Sequence, residues 1–359
     1  MRDFEPFSGS YLADDVHFLL QPMAIEMTPV ELKEKLIQSG EKHYSDMLSQ
    51  EPEPTQWHLD LFTKALDSGS ARLATEVVML AKALIQQFGD TPIILTSLVR
   101  AGVPLGVMLQ QTLRGMGKES YHYGISIIRD RGIDTTALEW IEQRHGTDGI
   151  VFVDGWTGKG AITGELVRSL AGRKGYPAQP RLVVLADPCG CAWLSASQDD
   201  WLIPFGIMGA PVSGLISRSI WTDSGFHGCV KCDHLNQYEC SRRLVDTVAQ
   251  QRQKLELSSI GIPTPQSPLC DELRHKSSEV IKALAEKYEI SNINRIKPGI
   301  AEATRAVLRR VPDHVLVREI SDPDVALLVY LAQPKNITIT EVGGDIGQYH
   351  AVTIIKKVK

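Results

Sequence analysis

The sequence contains no apolar run long enough to span a bilayer. No apolar stretch follows Met1-Arg2-Asp3-Phe4-Glu5, as a secretion signal would require. A cytoplasmic chain with no membrane partner is therefore expected. Internal repeats and low-complexity tracts are absent, which excludes a repeat architecture. Net positive charge is absent too: the balance is −5, so the chain as a whole is no nucleic-acid magnet. Cysteines are few, six in 359 residues, and a large chain of this kind is not expected to rely on disulfides. Two phosphate-binding signatures are missing as well. The Walker loop fails because Lys159 is followed by Gly160 rather than Ser or Thr, and the dinucleotide fingerprint fails because an acid ends the strand before the glycines.

Hydrophobic content of 43% and charged content of 23% fit a globular protein, and the length makes two domains the default. Thr28-Pro29-Val30-Glu31 reads as a capping box opening a helix that runs to about residue 39. A long amphipathic helix is expected over 70–88. Strands are expected at 92–96, 121–127, 150–153 and 182–186, with helices between them from 104, from 134 and from 161. Strands alternating with helices at this spacing imply a mostly parallel sheet covered on both faces. Ligands in such sheets bind beyond the carboxyl ends of the strands. Four polar loops, 97–104, 128–132, 154–163 and 187–191, follow strands and should converge on one crevice. A Pro-rich connector begins at Gly261-Ile-Pro-Thr-Pro. Beyond it, helices near 277–288, 300–309 and 324–331 and strands near 315–317, 337–341 and 351–355 make a compact second α/β unit. The expected division is 1–260 with an N-terminal arm, a linker over 261–274, and 275–359.

The densest chemistry lies in Gly149-Ile-Val-Phe-Val-Asp154-Gly-Trp-Thr157-Gly-Lys159-Gly160-Ala161-Ile-Thr163. A buried strand ends in an acid, a glycine loop follows, and a helix starts at about Ala161. Loop amides and a helix N-terminus suit a phosphate, and the acid suits sugar hydroxyls. The alternative is an ordinary strand-turn-helix with no ligand. It resembles the pyrophosphate-sugar signature of type I phosphoribosyltransferases, although Gly155 replaces the second acid of that signature and Ile162 stands where a loop Thr is usual. That resemblance implies a sheet of type I phosphoribosyltransferase topology. It also implies a phosphoribosyl pyrophosphate donor with Mg2+, held by Thr157, Gly158, Lys159, Gly160, Ala161 and Thr163. Arg100, with the amides of Ala101 and Gly102, fits the pyrophosphate position. Arg129 and Arg131 fit a basic loop that closes over it, or a solvated loop. Asp154 completes the candidate catalytic set.

Asp187, Ser213, Arg218 and His227 are candidates for holding an acceptor base; each has a plain structural reading beside it. Cys189 with Cys191, and Cys229 with Cys232, give two closely spaced pairs. Either they form one structural Zn2+ site or they are small buried side chains. Cys189 or Cys229 with His227 as base would make a thiol protease, but no local protease signature surrounds either cysteine.

Over nearly its whole length the chain resembles one bacterial group. The likeness rests on Gly9-Ser-Tyr11, His43-Tyr44, Thr96-Ser-Leu-Val-Arg100, Ile125-Ser-Ile-Ile-Arg129-Asp-Arg131, Val153-Asp-Gly-Trp-Thr-Gly-Lys-Gly160, Ser213-Gly-Leu-Ile-Ser-Arg218 and Phe226-His-Gly228. The group is the StiP family of tellurite-resistance and stress operons, often labelled cysteine protease StiP. It is also described as a phosphoribosyltransferase domain fused to a pelota-type RNA-binding domain. The resemblance implies RNA binding by the tail, through Arg305, Arg309 and Arg310. The expectation favoured by the visible phosphate loop is transfer of a phosphoribosyl group to a base-like acceptor, giving a nucleoside-like product in a stress pathway. A homodimer is compatible with this reading. A phosphosugar- and RNA-binding sensor without turnover is the alternative, and a cysteine protease the weaker one.

Overall fold

The computed structural model describes residues 5–357. The first unit contains β1 (His17–Phe18), β2 (Gln21–Pro22), α1 (Val30–Ser39), α2 (Gln56–Phe88), β3 (Ile93–Leu98), α3 (Gly102–Gly115) and β4 (Ser120–Ile125). It continues through β5 (Ile127–Ile128), β6 (Gly132–Ile133), α4 (Thr135–His145), β7 (Ile150–Val153), α5 (Ala161–Leu170), β8 (Leu182–Ala186), β9 (Leu194–Ser197), β10 (Gly228–Cys229) and α6 (Ser241–Arg252). The remainder comprises α7 (Leu269–Lys287), β11 (Ile296–Pro298), α8 (Ile300–Arg309), β12 (Pro312–Val317), α9 (Ala326–Ala332), β13 (Thr338–Glu341) and β14 (Ala351–Ile355).

Six strands form the main sheet in the order β1-β4-β3-β7-β8-β9, all parallel. Along β7, Val151 and Val153 face a core built with α2, α3 and α6, while Ile150 and Phe152 face α4 and α5. Burial on both faces explains the uninterrupted apolar runs of these strands. The second sheet is mixed, in the order β11-β14-β12-β13, with only β12 and β13 parallel. Val280, Ile281 and Leu284 of α7 cover one face of it, and Ile300, Ala303 and Val307 of α8 the other.

Three local expectations needed revision. The capping box at Thr28 does not form: α1 starts after Pro29 without a side-chain cap, and the Thr28 amide bonds to the Leu48 carbonyl. Helix α2 begins at Gln56, capped by Thr55, because Gly69 lies against Pro204 and Trp201 inside the helix and does not break it. Helix α7 begins at Leu269, within the segment expected to be a linker.

Helix α8 joins the two units. Its apolar face covers the second sheet, and Ala301 packs into the core of the first. Asp200, between β9 and α6, accepts the Ile300 amide at the start of α8 (2.9 Å) and the His350 amide (2.8 Å). A carboxylate from the first unit thus caps a helix of the second.

At Gly102, a side chain would place Cβ 2.0 Å from the Val153 carbonyl oxygen, backbone against backbone. We expect Gly102→Val to lower unfolding stability by about 3 kcal/mol, the upper range for overpacking. A urea titration giving a loss below about 1 kcal/mol would show that this loop has room the structure denies it.

Candidate functional site

The loops after β3, β5, β7 and β8 gather at the carboxyl end of the parallel sheet, and α8 lies across them. Between loop 156–163 and α8 is a crevice of about 340 Å3. Its floor is Asp154, Trp156, Thr157, Gly158, Lys159 and Gly160, with Ala101 at one side and Ala161 to Thr163 at the start of α5. Helix α5 follows Gly160, which lies in the left-handed region (φ 81°) and provides no side-chain cap, so the first amides of the helix are left for solvent or a ligand. The second unit clasps the loop. The Lys159 ammonium donates to the Ile296 carbonyl (2.9 Å) and the Tyr349 hydroxyl to the Gly158 carbonyl (2.5 Å).

Eight cationic side chains line the crevice: Lys33, Arg129, Lys159, Arg218, Lys297, Arg305, Arg309 and Arg310. Only two carboxylates, Asp154 and Glu302, share it. Glu34 binds Arg310 through both oxygens (2.6 and 2.8 Å), and Glu51 reaches Arg309 (3.9 Å), but these acids leave most of the charge uncompensated. Burial first, and then neighbouring cations, weaken proton binding. Lys33 falls to about 8 through burial and then the charge of Arg218, and Lys159 falls to about 8 through burial despite Glu302. Lys297 falls well below the usual lysine range through burial and Lys159, and Arg305 falls to about 10 through burial and Arg100. Lys33, Lys297 and Arg305 make no side-chain hydrogen bond to the protein among the described residues, although Arg305 lies 4.5 Å above the Trp156 ring. Crowded cations with few anions are the mark of a site built for an anionic guest.

Several predicted positions belong elsewhere. Arg100 is buried and turned to Glu51 (2.6 Å) and the Ile216 carbonyl (3.0 Å), and Arg131 pairs with Asp46 and lies over Trp221. Of the three arginines expected on one pyrophosphate, only Arg129 lines the crevice, because largely covered Glu51 claims Arg100 and Asp46, at the surface, claims Arg131. Asp187 is fully buried: it accepts the Thr157 hydroxyl (2.6 Å) and the amides of Cys191 and Ala192, so it orders the loop and cannot meet an acceptor. Ser213 is buried with its hydroxyl on the Gly209 carbonyl. His227 bonds Ser126 (2.7 Å), and its own amide donates to Asp134 (2.6 Å), in a buried structural knot outside the crevice. Gly102 serves close packing against β7. Arg218 does line the crevice, anchored by the carbonyls of Tyr44 and Met47.

The three tail arginines expected to meet RNA face inward. Arg305 and Arg309, one helical turn apart, point with Arg310 into the crevice, because Ile300, Ala303 and Val307 occupy the opposite face of α8. Sequence reasoning missed Lys33, Tyr44, Lys297 and Glu302. Lys297 and Glu302 flank the Gly299 helix start, the one local signal that could have marked them.

Metal ions fit poorly. Among the described residues no group of three or more His, Cys, Asp or Glu side chains could hold one. The two cysteine pairs therefore do not converge on zinc. Cys189 and Cys191 sit beneath the glycine loop, while Cys229 pairs with the arm strand β2. For magnesium the crevice offers two carboxylates, Asp154 and Glu302, and burial pushes the Asp154 carboxyl up to about 7.

Residues 9–249 match the family described as tellurite-like stress resistance cysteine protease StiP. The chain belongs to this family. Residues 275–357 match the PELOTA RNA binding domain. A relative from Acinetobacter baylyi named cysteine protease StiP is 50% identical over 368 residues, covering 98% of this chain and 95% of its own length. Two structures of Trypanosoma cruzi hypoxanthine phosphoribosyltransferase align at TM-scores of 0.29 and 0.30 with 15% and 14% identity. They cover 37% and 48% of this chain and 81% and 93% of their own. At those scores the likeness carries no functional argument. The StiP family name overturns the enzyme class expected from the glycine loop: both the family description and the relative's name say cysteine protease, not phosphoribosyltransferase. Among the described residues, however, no cysteine sulfur is hydrogen-bonded to a histidine. Cys229 and Cys232 are buried thiols pushed up to about 12 and 11. Cys189 alone is lowered, by its hydrogen bond with Cys191 and, against burial, by Ser277.

The raised carboxyl of Asp154 has a pH signature. Burial favours its neutral form, so folding holds that proton more tightly than the unfolded chain does, and the associated stability is lost as pH rises from about 4 through about 7. Asp154→Asn should therefore be more stable than the native chain at pH 8, with the difference shrinking toward pH 5. Equal differences at both pH values, by urea titration, would remove the assignment.

Proposed function

We propose that the crevice binds a multiply charged phosphate ester of a sugar, held between the glycine loop of the first unit and α8 of the second. The observation that carries this reading is the eight-to-two excess of cations over carboxylates around loop 156–163. Trp156 and Tyr44 offer flat apolar surfaces beside the charge, and Asp154 offers hydroxyl recognition. The C-terminal unit therefore works twice. Its inward arginines complete the crevice, and its PELOTA match supports an RNA-binding role for the rest of that unit. In this reading the ligand bridges two modules and stabilises their docking.

Ribose 5-phosphate and inorganic pyrophosphate are the probes. Binding should weaken steeply with salt, since the attraction is largely Coulombic. Lys297→Gln and Arg305→Gln should each reduce affinity at least roughly tenfold. At pH 8 binding should take up protons, because the anion restores the charge that Lys33 and Lys159 hold weakly near that pH. Calorimetry in buffers of different ionisation enthalpy reads that uptake. Absence of binding by either probe at low salt would sink the proposal.

A second reading follows the family name: cleavage of a peptide bond by a cysteine thiolate. The observation favouring it is the lowered thiol of Cys189 beside the glycine loop. Its test is incubation with a denatured protein substrate. Cleavage should vanish in Cys189→Ser and persist in Cys229→Ser. Cleavage that survives Cys189→Ser would move the thiolate elsewhere or remove it.

A further inference from the structure

The thiols of Cys189 and Cys191 lie 3.1 Å apart, closer than any other pair of cysteine sulfurs whose contact is described. The turn that brings them together is tightly specified. Asp187 accepts the Cys191 and Ala192 amides (2.9 and 3.0 Å), and Gly190 sits in the left-handed region (φ 70°) with no room for a side chain: a Cβ there would lie 2.4 Å from the Cys270 carbonyl oxygen. Both sulfurs therefore fall on the same side of the turn.

That side is the joint between the glycine loop and the C-terminal unit. A Cβ at Gly160 would stand 2.8 Å from the Cys191 sulfur, so the loop rests directly on it. The Cys189 sulfur contacts the Ser277 hydroxyl at 3.5 Å; Ser277 meets the Tyr349 hydroxyl at 2.6 Å; and Tyr349 donates to the Gly158 carbonyl. One chain of polar contacts thus runs from the thiol pair through α7 and the segment before β14 to the loop. The Cys191 thiol, partly exposed, gives a small oxidant access.

We propose that Cys189 and Cys191 are a peroxide-oxidisable dithiol whose closure to a disulfide loosens the glycine loop from the C-terminal unit. Hydrogen peroxide transfers one oxygen to a thiol sulfur as its O–O bond breaks, giving a sulfenic acid, and the other oxygen leaves as water. The second thiol displaces the sulfenic hydroxyl, a second water leaves, and the S–S bond forms. Both sulfurs are oxidised and the peroxide oxygens are reduced. A disulfide needs sulfurs about 2.05 Å apart, so each must move, and neither retains an S–H for Ser277 or its neighbour. The contacts that seat Tyr349 on Gly158 and Cys191 under Gly160 are then disturbed together.

The inference does not depend on which ligand the crevice takes, and its test uses the full chain without ligand. After peroxide treatment, tryptic residues 182–218, which hold Cys189 and Cys191 and no other cysteine, should lose two hydrogens with no cross-link to Cys270. Amide exchange over 157–163 should accelerate roughly tenfold, the scale of one lost hydrogen bond. Dithiothreitol should reverse both changes. Cys191→Ser should show neither, with Cys191→Ala as the substitute if the serine variant loses its far-UV circular dichroism. Two alkylatable thiols after peroxide, a bridge to Cys270, or a disulfide formed with exchange over 157–163 unchanged would each overturn the proposal.

Discussion

The carboxylate of Glu51 is where the two halves of this protein meet. It bonds Arg100 (2.6 Å), reaches Arg309 of α8 (3.9 Å) and accepts the Ala210 amide (2.8 Å). Burial opposes its ionisation, yet the charges of Arg100 and Arg309 hold it down at about 2. A largely buried anion with partners from three distant parts of the chain fixes their relative positions, because removing Arg100 would leave its charge without its close counter-ion in a poorly solvated place. Arg100 is therefore a structural cation, and Arg309 is oriented toward the crevice from behind.

From that anchor the rest of the site follows. Asp200 caps α8, Glu34 takes Arg310 in a two-pronged bond, and Ala301 enters the main core. With α8 held by its ends and its underside, its remaining side chains face the glycine loop. The resulting excess of positive charge is destabilising to the protein alone, and is the sort of local conflict that a binding site tolerates and a scaffold does not. The family description names a cysteine protease, and the one cysteine thiol that is lowered among the described residues lies beneath the same loop. The cation-lined crevice and the cysteine pair are therefore neighbours in one structure, joined by the Tyr349–Gly158 contact.

The elements of both sheets were largely readable from residue patterns. The apolar run 150–153, the Asp134 cap, the start of α5 after Gly160 and the α8 span 300–309 all stand where periodicity and capping rules put them. Strands β1, β9 and β11 were not, since two to four residues with little alternation carry no period to detect. The site was half legible. Asp154 and loop 157–163 line the crevice, but Arg100, Arg131, Asp187, Ser213 and His227 looked equally chemical and serve packing or internal pairing. A charged residue after a strand has the same sequence signature whether it meets a ligand or a buried acid.

The sequence by itself determined the parallel α/β core, the glycine loop at the carboxyl edge of its sheet, and the family, because each rests on the local alternation of strand and helix patterns or on extended likeness. Tertiary structure alone decided which way α8 faces. Arg305 and Arg309 share one helical face in either reading, and local sequence is indifferent between solvent, RNA and the neighbouring unit. The choice was made by Glu51, Glu34 and Asp200, between 100 and 276 residues away along the chain. Long-range electrostatic pairing of this kind leaves no periodic trace, so it became visible only when the fold brought those acids to the helix.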